Sequence, residues 1–206
     1  DEVLRGGELD DTPADVEREY GAVLEVLSVR SAGDYLSLKL PALDFDPKRL
    51  AAVGEQAVKR GIRIHFDAMA PDTADRTRAA IEDLIETVPG IDPGYTIPGR
   101  WVRSAGDAEW ASQRGLVVRV VKGQWEDPEA PDRDLREGYL EVIDALAGRP
   151  TRVSVATHDV PLAAAAIARL RNAGTPCDLE LLHGLPMRAS LRQAAELGID
   201  VRVYVP

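Results

Sequence analysis

Apolar positions along the chain follow two alternating periods. Stretches with hydrophobic residues three and four apart, the spacing of one helix face, give way to short runs of Val, Ile and Leu that read as strands covered on both sides. A glycine marks the switch in Lys59-Arg-Gly-Ile-Arg-Ile-His-Phe-Asp67, Gln113-Arg-Gly-Leu-Val-Val-Arg119, Asn172-Ala-Gly-Thr-Pro-Cys-Asp-Leu-Glu-Leu-Leu-His-Gly184 and Glu196-Leu-Gly-Ile-Asp-Val-Arg-Val-Tyr-Val-Pro206. Glycine accepts a left-handed backbone at no steric cost, so it ends a helix and lets the next strand begin abruptly. The spacing predicts helices near 12–30, 47–60, 73–88, 105–114, 133–147, 160–173 and 187–197, and strands near 35–40, 62–67, 94–98, 116–122, 151–157, 178–183 and 200–205. Asp11-Thr-Pro and Ala70-Pro-Asp-Thr read as helix starts, Ser104 as a cap, and Pro128 with Pro131 as a loop.

Repeated βα units with parallel strands build either a doubly wound sheet or a (β/α)8 barrel. Hydrophilic and reactive residues gather at strand ends, at Lys39, Asp67, Lys122, His158, His183 and Tyr204, where the βα loops of a barrel form its catalytic face. No Gly-rich dinucleotide fingerprint follows the first strand. The expected fold is therefore α/β, a (β/α)8 TIM-type barrel, occupying residues 1–206 as a single domain without a linker or low-complexity tract.

Composition narrows the function. The chain has 206 residues, 45% hydrophobic and 29% charged, enough for a full core. A formal net charge of -10 argues against a surface that grips phosphate backbones or anionic lipid, so nucleic acid is not an expected partner. Cys177 is the only cysteine, which rules out an intrachain disulfide and a multi-thiolate metal site. No run reaches the length of a membrane span, and the polar opening Asp1-Glu-Val-Leu-Arg is no signal peptide, so a cytoplasmic setting is expected.

Val117-Val-Arg-Val-Val-Lys-Gly-Gln-Trp125 carries the strongest chemical signal. A strand this apolar keeps Arg119 only if the charge is paired, by a core carboxylate or by an anionic ligand. Arg119 offers a planar fork for a carboxylate, phosphate or flavin carbonyl, and Lys122 a mobile point charge. Strand parity puts Arg119 and Val121 on one face and Lys122 on the other, unless the strand ends or bulges near Val121. Asp67 would balance these cations or fix a loop, and Lys39, placed within Tyr35-Leu-Ser-Leu-Lys-Leu40, is either a snorkelling edge residue or a functional one. Thr157 and His158 finish one strand and His183 another, with Glu180 at opposite parity to His183; His65, mid-strand, reads as structural. HExxH, HxH and GxSxG patterns are absent, which places hydride or proton chemistry, or metal binding, ahead of acyl transfer.

Several segments together resemble one family. Val118-Arg-Val-Val-Lys-Gly123 is similar to the Arg-Leu-Val-Lys-Gly strand of the proline dehydrogenases, FAD-dependent (β/α)8 enzymes that oxidise proline to pyrroline-5-carboxylate. Leu36-Ser-Leu-Lys-Leu-Pro-Ala-Leu43, Ala156-Thr-His-Asp159, Leu182-His-Gly-Leu185 and Val201-Arg-Val-Tyr-Val-Pro206 resemble further segments of that family in the same order. The resemblance implies a flavoprotein oxidoreductase of proline metabolism that passes a hydride from proline, or a related cyclic secondary amine, to flavin N5. It implies that Arg119, Lys122, Thr157 and His158 contact FAD, and that Lys39, Asp67, Leu182, Tyr204 and Trp125 form the catalytic pocket, with no metal. Trp125 stands where the family has a tyrosine.

Three features depart from the family pattern. Pro98-Gly-Arg-Trp101 replaces a segment with a flavin-binding glutamine, and the acidic stretch Glu126-Asp-Pro-Glu-Ala-Pro-Asp-Arg-Asp134 replaces one that holds the FAD diphosphate. That stretch would repel a diphosphate unless Arg133 or Arg136 turned inward, and Arg100 or Arg103 is a second candidate clamp. The sequence also stops at Pro206, before the family's last helix, and Val3-Leu-Arg-Gly-Gly-Glu8 falls where the first barrel strand ends. The first strand is then incomplete and the last helix absent, and exposed edges of that kind point to missing residues or a homo-oligomer. FMN, or no flavin, stands as the alternative to FAD. A redox-inactive barrel binding a small anion, or a metal-dependent lyase or hydrolase using Asp67, His158, His183 and Glu180, stands as the alternative function. The electron acceptor is not identifiable from sequence.

Overall fold

A computed structural model describes residues 12–29 and 33–206. The expected strand end at 3–8, the start at Asp11 and the helix end at Arg30 lie outside the described residues. The chain divides into two compact units, one ending at Pro93 and the other beginning at Gly94.

In the first unit, α1 (Pro13–Ser28) begins where Thr12 and Asp15 form a reciprocal capping box, each side chain accepting the other's backbone N–H. Asp46 starts α2 (Pro47–Arg60) by accepting from the amides of Lys48 and Arg49, with Pro47 at the first helical position. Gly61 ends it at φ +67°, a left-handed cap that suits glycine. β1 (Tyr35–Leu38) pairs in parallel with β2 (Arg63–Phe66), Tyr35 opposite Arg63 and Leu38 opposite Phe66. Leu38, Ile64 and Phe66 are fully buried with Val53 and Ala57 of α2 and Ile81 of α3 (Ala74–Thr87). A Cβ on Gly54 would stand 2.9 Å from Leu84 Cδ1, so the bare backbone lets α2 approach α3 closely.

Two 3-10 turns, Leu40–Leu43 and Pro71–Thr73, were too short for any period to reveal. The first corrects the expectation that Lys39 lies inside a strand. β1 stops at Leu38, and the Lys39 carbonyl accepts from the Ala42 amide at 3.0 Å instead of joining a ladder, because Pro41 starts a turn.

β3 (Pro93–Pro98) leads into the second unit, where β4 (Val117–Val121), β5 (Val153–Ala156), β6 (Cys177–Leu182) and β7 (Val201–Tyr204) follow, each parallel to the one before. Between them run α4 (Ser104–Gln113), α5 (Leu135–Leu146), α6 (Val160–Asn172) and α7 (Arg188–Leu197). Asp134 caps α5 and Asp159 caps α6 through backbone amides, whereas Ser104 does not cap α4: its hydroxyl donates to the Pro98 carbonyl at 2.5 Å. That bond anchors the α4 start to the end of β3. At Gly138 a Cβ would lie 2.1 Å from the Gly99 carbonyl oxygen, so the first turn of α5 sits directly on the β3–α4 loop.

Strand register divides this sheet into two faces. Val118, Val120, Val153, Val155, Leu179 and Leu181 share one face and are fully buried, as expected under the helices that follow the strands. Thr96, Arg119, Ser154, Asp178 and Glu180 share the other and are also buried, with Arg202 and Tyr204 of β7 on the same side. One face is a hydrocarbon core and the other a row of polar and charged groups. Among the described residues no helix is long and apolar enough to cross a membrane.

Candidate functional site

The polar face is organised by two buried carboxylates. Glu180 accepts from Arg119 Nη1 at 3.4 Å, with 8% of the arginine side chain and 3% of the glutamate exposed. The Arg119 guanidinium also lies over the Tyr204 ring, 4.5 Å from its centroid, so the aromatic face adds cation–π attraction and excludes water from one side of the charge. Lower on β6, Asp178 accepts from Arg152 at 2.8 Å and from Arg202 at 3.5 Å. Arginine within the apolar strand is thus balanced by a core carboxylate. Register puts Arg119 level with Ser154 and Asp178, but its length carries the guanidinium two residues further along β6 to Glu180.

Lys122 is held elsewhere. β4 ends at Val121, which releases Lys122 from strand parity, and its Nζ donates to Asp159 Oδ2 at 3.0 Å. Arg136, in the first turn of α5, reaches the same oxygen at 3.2 Å. The opposite oxygen of Asp159 accepts from the Leu162 amide at 3.2 Å. Burial pushes the Asp159 carboxyl upward, but the Lys122 bond, the Leu162 amide and the two nearby cations outweigh it, so its pKa lies below the ordinary value of 3.8. Two partly exposed cations therefore share one carboxylate at the start of α6, leaving an excess of positive charge in an otherwise acidic chain.

The departures from the family pattern have definite partners. Arg133 donates to the Gly99 carbonyl and to Glu141, so of the two arginines beside the acidic loop it is Arg136 that shares Asp159 with Lys122. Arg100 binds the Gln124 carbonyl at 3.1 Å and Glu126 at 3.4 Å, and Arg103 binds Asp107 one turn along α4. Asp127 is buried, accepting from the amides of Val102 and Glu129. Pro98 is buried and has no side-chain donor or acceptor. Trp101, the last residue of that divergent segment, is 1% exposed and donates from Nε1 to the Trp125 carbonyl at 3.0 Å, which fixes the loop and leaves the Trp125 ring half-exposed.

His158 uses both ring nitrogens within the chain. Nε2 accepts from the Leu182 amide at 2.8 Å, so Nδ1 carries the proton and donates to the Pro186 carbonyl at 3.2 Å. Thr157 is buried and its hydroxyl accepts from the Asp159 amide at 3.1 Å. Leu182 ends β6 half-exposed, opposite Tyr204 of β7. The His183 amide donates to the Tyr204 carbonyl at 2.8 Å. Tyr139 is fully buried beneath the sheet and donates to the Val120 carbonyl at 3.0 Å; burial pushes its phenol far above the usual range.

In the first unit, Asp67 follows β2 and accepts from the Ser37 hydroxyl at 2.8 Å, while its amide donates to the Leu38 carbonyl. The Lys39 amide donates to the Tyr20 hydroxyl at 3.1 Å. His65 is buried with its ring 5.2 Å from that of Tyr35. Among the described residues no three His, Cys, Asp or Glu side chains gather as a metal site would require.

No protein-family model matches the chain, and a search of curated proteins finds no match. Solved structures do. Proline utilization A (PutA) from Bdellovibrio bacteriovorus, inactivated by N-propargylglycine, superposes with a TM-score of 0.76 at 19% identity, over 94% of this chain and 26% of its own. A point mutant of Bradyrhizobium japonicum PutA superposes at 0.79 with 18% identity, over 98% of this chain and 25% of its own. PutA with proline bound in remote sites matches equally well. The chain shares the fold of these segments. That fold is the incomplete (β/α)8 type expected from the alternation of strands and helices, and the chain spans about a quarter of the length of the structures it matches.

Proposed function

We propose that the chain is the barrel of a flavin-dependent oxidoreductase that oxidises proline, or a related cyclic secondary amine, to the imine. The observation that carries this reading is the buried Arg119, braced by Glu180 and Tyr204 on the polar face of the sheet, at the strand ends that also present Leu182. Five segments resembling proline dehydrogenases and a fold shared with PutA support it.

The residues fit a flavin. Arg119 supplies a rigid fork for the ring's polar edge, and the excess positive charge of Lys122 and Arg136 suits a phosphate where the acidic loop would not. Bound FAD would supply the hydride acceptor, the electronic capacity that no side chain here has. The chain's own part is positioning and electrostatics. Arg119 orients the ring edge, with Glu180 preventing the guanidinium from turning away. Trp125, Leu182 and Tyr204 provide apolar walls that keep water from a flat substrate ring. The resemblance further assigns Lys39 and Asp67 to the substrate, and Thr157 and His158 to the cofactor. A single cysteine supports a cytoplasmic location.

Visible absorbance of the purified protein, before and after anaerobic addition of proline, tests the proposal. A flavin band bleached by proline is the expected result, with irreversible loss of that response after N-propargylglycine. A flavin band that proline leaves intact would move the substrate to another amine. A protein that stays colourless with added FAD or FMN would overturn the redox reading and leave a barrel that binds a small anion through Lys122 and Arg136.

A further inference from the structure

We propose that His158, as the neutral ring protonated at Nδ1, is a positioning residue that pins the last residue of β6 and the segment that follows it, so that the placement of Leu182 depends on the protonation state of this one ring. Leu182 belongs to the pocket proposed above, and to that extent the inference rests on the flavoenzyme reading; the pin itself does not.

The geometry sets the ring's state. A backbone amide can only donate, so the 2.8 Å contact from the Leu182 amide makes Nε2 an acceptor, and a carbonyl can only accept, so the 3.2 Å contact to Pro186 makes Nδ1 the donor. The two bonds straddle residues 182–186, which are exposed from Leu182 through Pro186. Among the described residues, the other ties of this stretch are the place of Leu182 opposite Tyr204 at the end of β6, the His183 amide donating to the Tyr204 carbonyl, and a 3.4 Å bond from the Leu185 amide to the Leu182 carbonyl; beyond it Gln193 Nε2 bonds the Val160 carbonyl at 2.9 Å. His158 itself has a firm base. Thr157 is buried before it, and Asp159 after it caps α6 and holds Lys122. A ring on a fixed strand end thus clasps a segment that has little burial of its own.

A proton on Nε2 would turn the acceptor into a donor facing another donor, and the Leu182 bond would be lost. The charged and titratable groups of the surrounding elements are Asp159 next to it in the chain, Lys122 after β4 and Arg136 on α5, both bonded to Asp159, with His183 inside the pinned segment and Arg188 two residues beyond it. The assignment also changes what His158 is for. With both nitrogens committed inside the chain, it acts on the pocket through Leu182.

Nitrogen-15 spectra of histidine-labelled protein, with amide exchange at Leu182, test the pin without flavin or substrate. The expected result is the Nδ1–H tautomer for His158 and a Leu182 amide whose protection, corrected for intrinsic rate, falls as the ring titrates. In His158→Ala that protection drops roughly tenfold, the size expected for one net hydrogen bond. In His158→Gln, whose side-chain oxygen can occupy the place of Nε2, protection returns and no longer changes with pH. An Nε2–H tautomer in the wild type, or Leu182 protection unchanged in His158→Ala, would overturn the proposal. If the alanine variant fails to fold, the wild-type tautomer alone decides. Failure of the flavin spectrum would leave every one of these readouts standing.

Discussion

Three residues apart on the same stretch of chain, Arg119 and Lys122 occupy opposite electrostatic regimes. Arg119 meets Glu180 with both side chains almost wholly removed from water, whereas Lys122 meets Asp159 with 36% and 16% of the side chains exposed. The cause is a single structural event. Arg119 is inside β4 and inherits the buried face, and Lys122 is one residue past the strand end and does not. A buried pair is costly to assemble and costlier to break, so it serves as a rigid frame. An exposed pair contributes little to stability and can exchange its partner for a ligand. The difference divides labour within the proposed site: Arg119 orients, and Lys122 with Arg136 attracts.

The sharpest way to break this contrast is to remove Glu180. Glu180→Ala leaves the Arg119 charge buried without that carboxylate, and the expected loss is about 3–5 kcal/mol in urea unfolding. Replacing both partners by apolar residues of similar volume, Arg119→Met with Glu180→Leu, should restore most of that loss while abolishing flavin retention. If the double variant is no more stable than Glu180→Ala, the pair is not an isolated frame but one part of a wider charged network. Lys122→Ala, in contrast, should change stability by less than about 1 kcal/mol and weaken flavin binding, with the weakening shrinking as salt rises. A stability loss matching that of Glu180→Ala would erase the distinction.

The smallest expected effect is at acid pH. The folded pKa of Asp159 lies below its ordinary 3.8, because the bonds from Lys122 and the Leu162 amide outweigh the effect of burial. Its contribution is therefore complete above the unfolded value and is lost as pH falls through the lower folded value. Asp159→Asn should flatten the decline of stability in that window and leave the neutral-pH curve nearly parallel to wild type. An unchanged acid limb would show that other carboxylates dominate; Asp46 and Asp134, both lowered by the backbone amides they cap, are the first to consider.

Much of this arrangement was legible in the sequence. All seven expected helices and strands occur, and Gly61, Gly115, Gly174 and Gly198 each adopt positive φ at the predicted switches. The requirement that Arg119 be paired followed from its apolar neighbours, and the strand stop at Val121 was the condition named for releasing Lys122. Lys39 and Ser104 differ from expectation by one position or one partner, since proline turns and cap hydroxyls leave no periodic trace. Glu180 was visible as a residue but not as the partner of Arg119, and Trp101 stood out only as the end of a divergent segment, not as a buried donor to the Trp125 carbonyl.

By itself the sequence determined periodicity, face parity and element ends, because those depend on residues within a few positions of one another. Only the tertiary structure decided which groups meet. Glu180 lies 61 positions from Arg119, and the Leu182 amide donates to a histidine 24 positions earlier. Such pairings depend on the register between strands and on the reach of long side chains across it, and these are set by the packing of the whole sheet, not by any local run of residues.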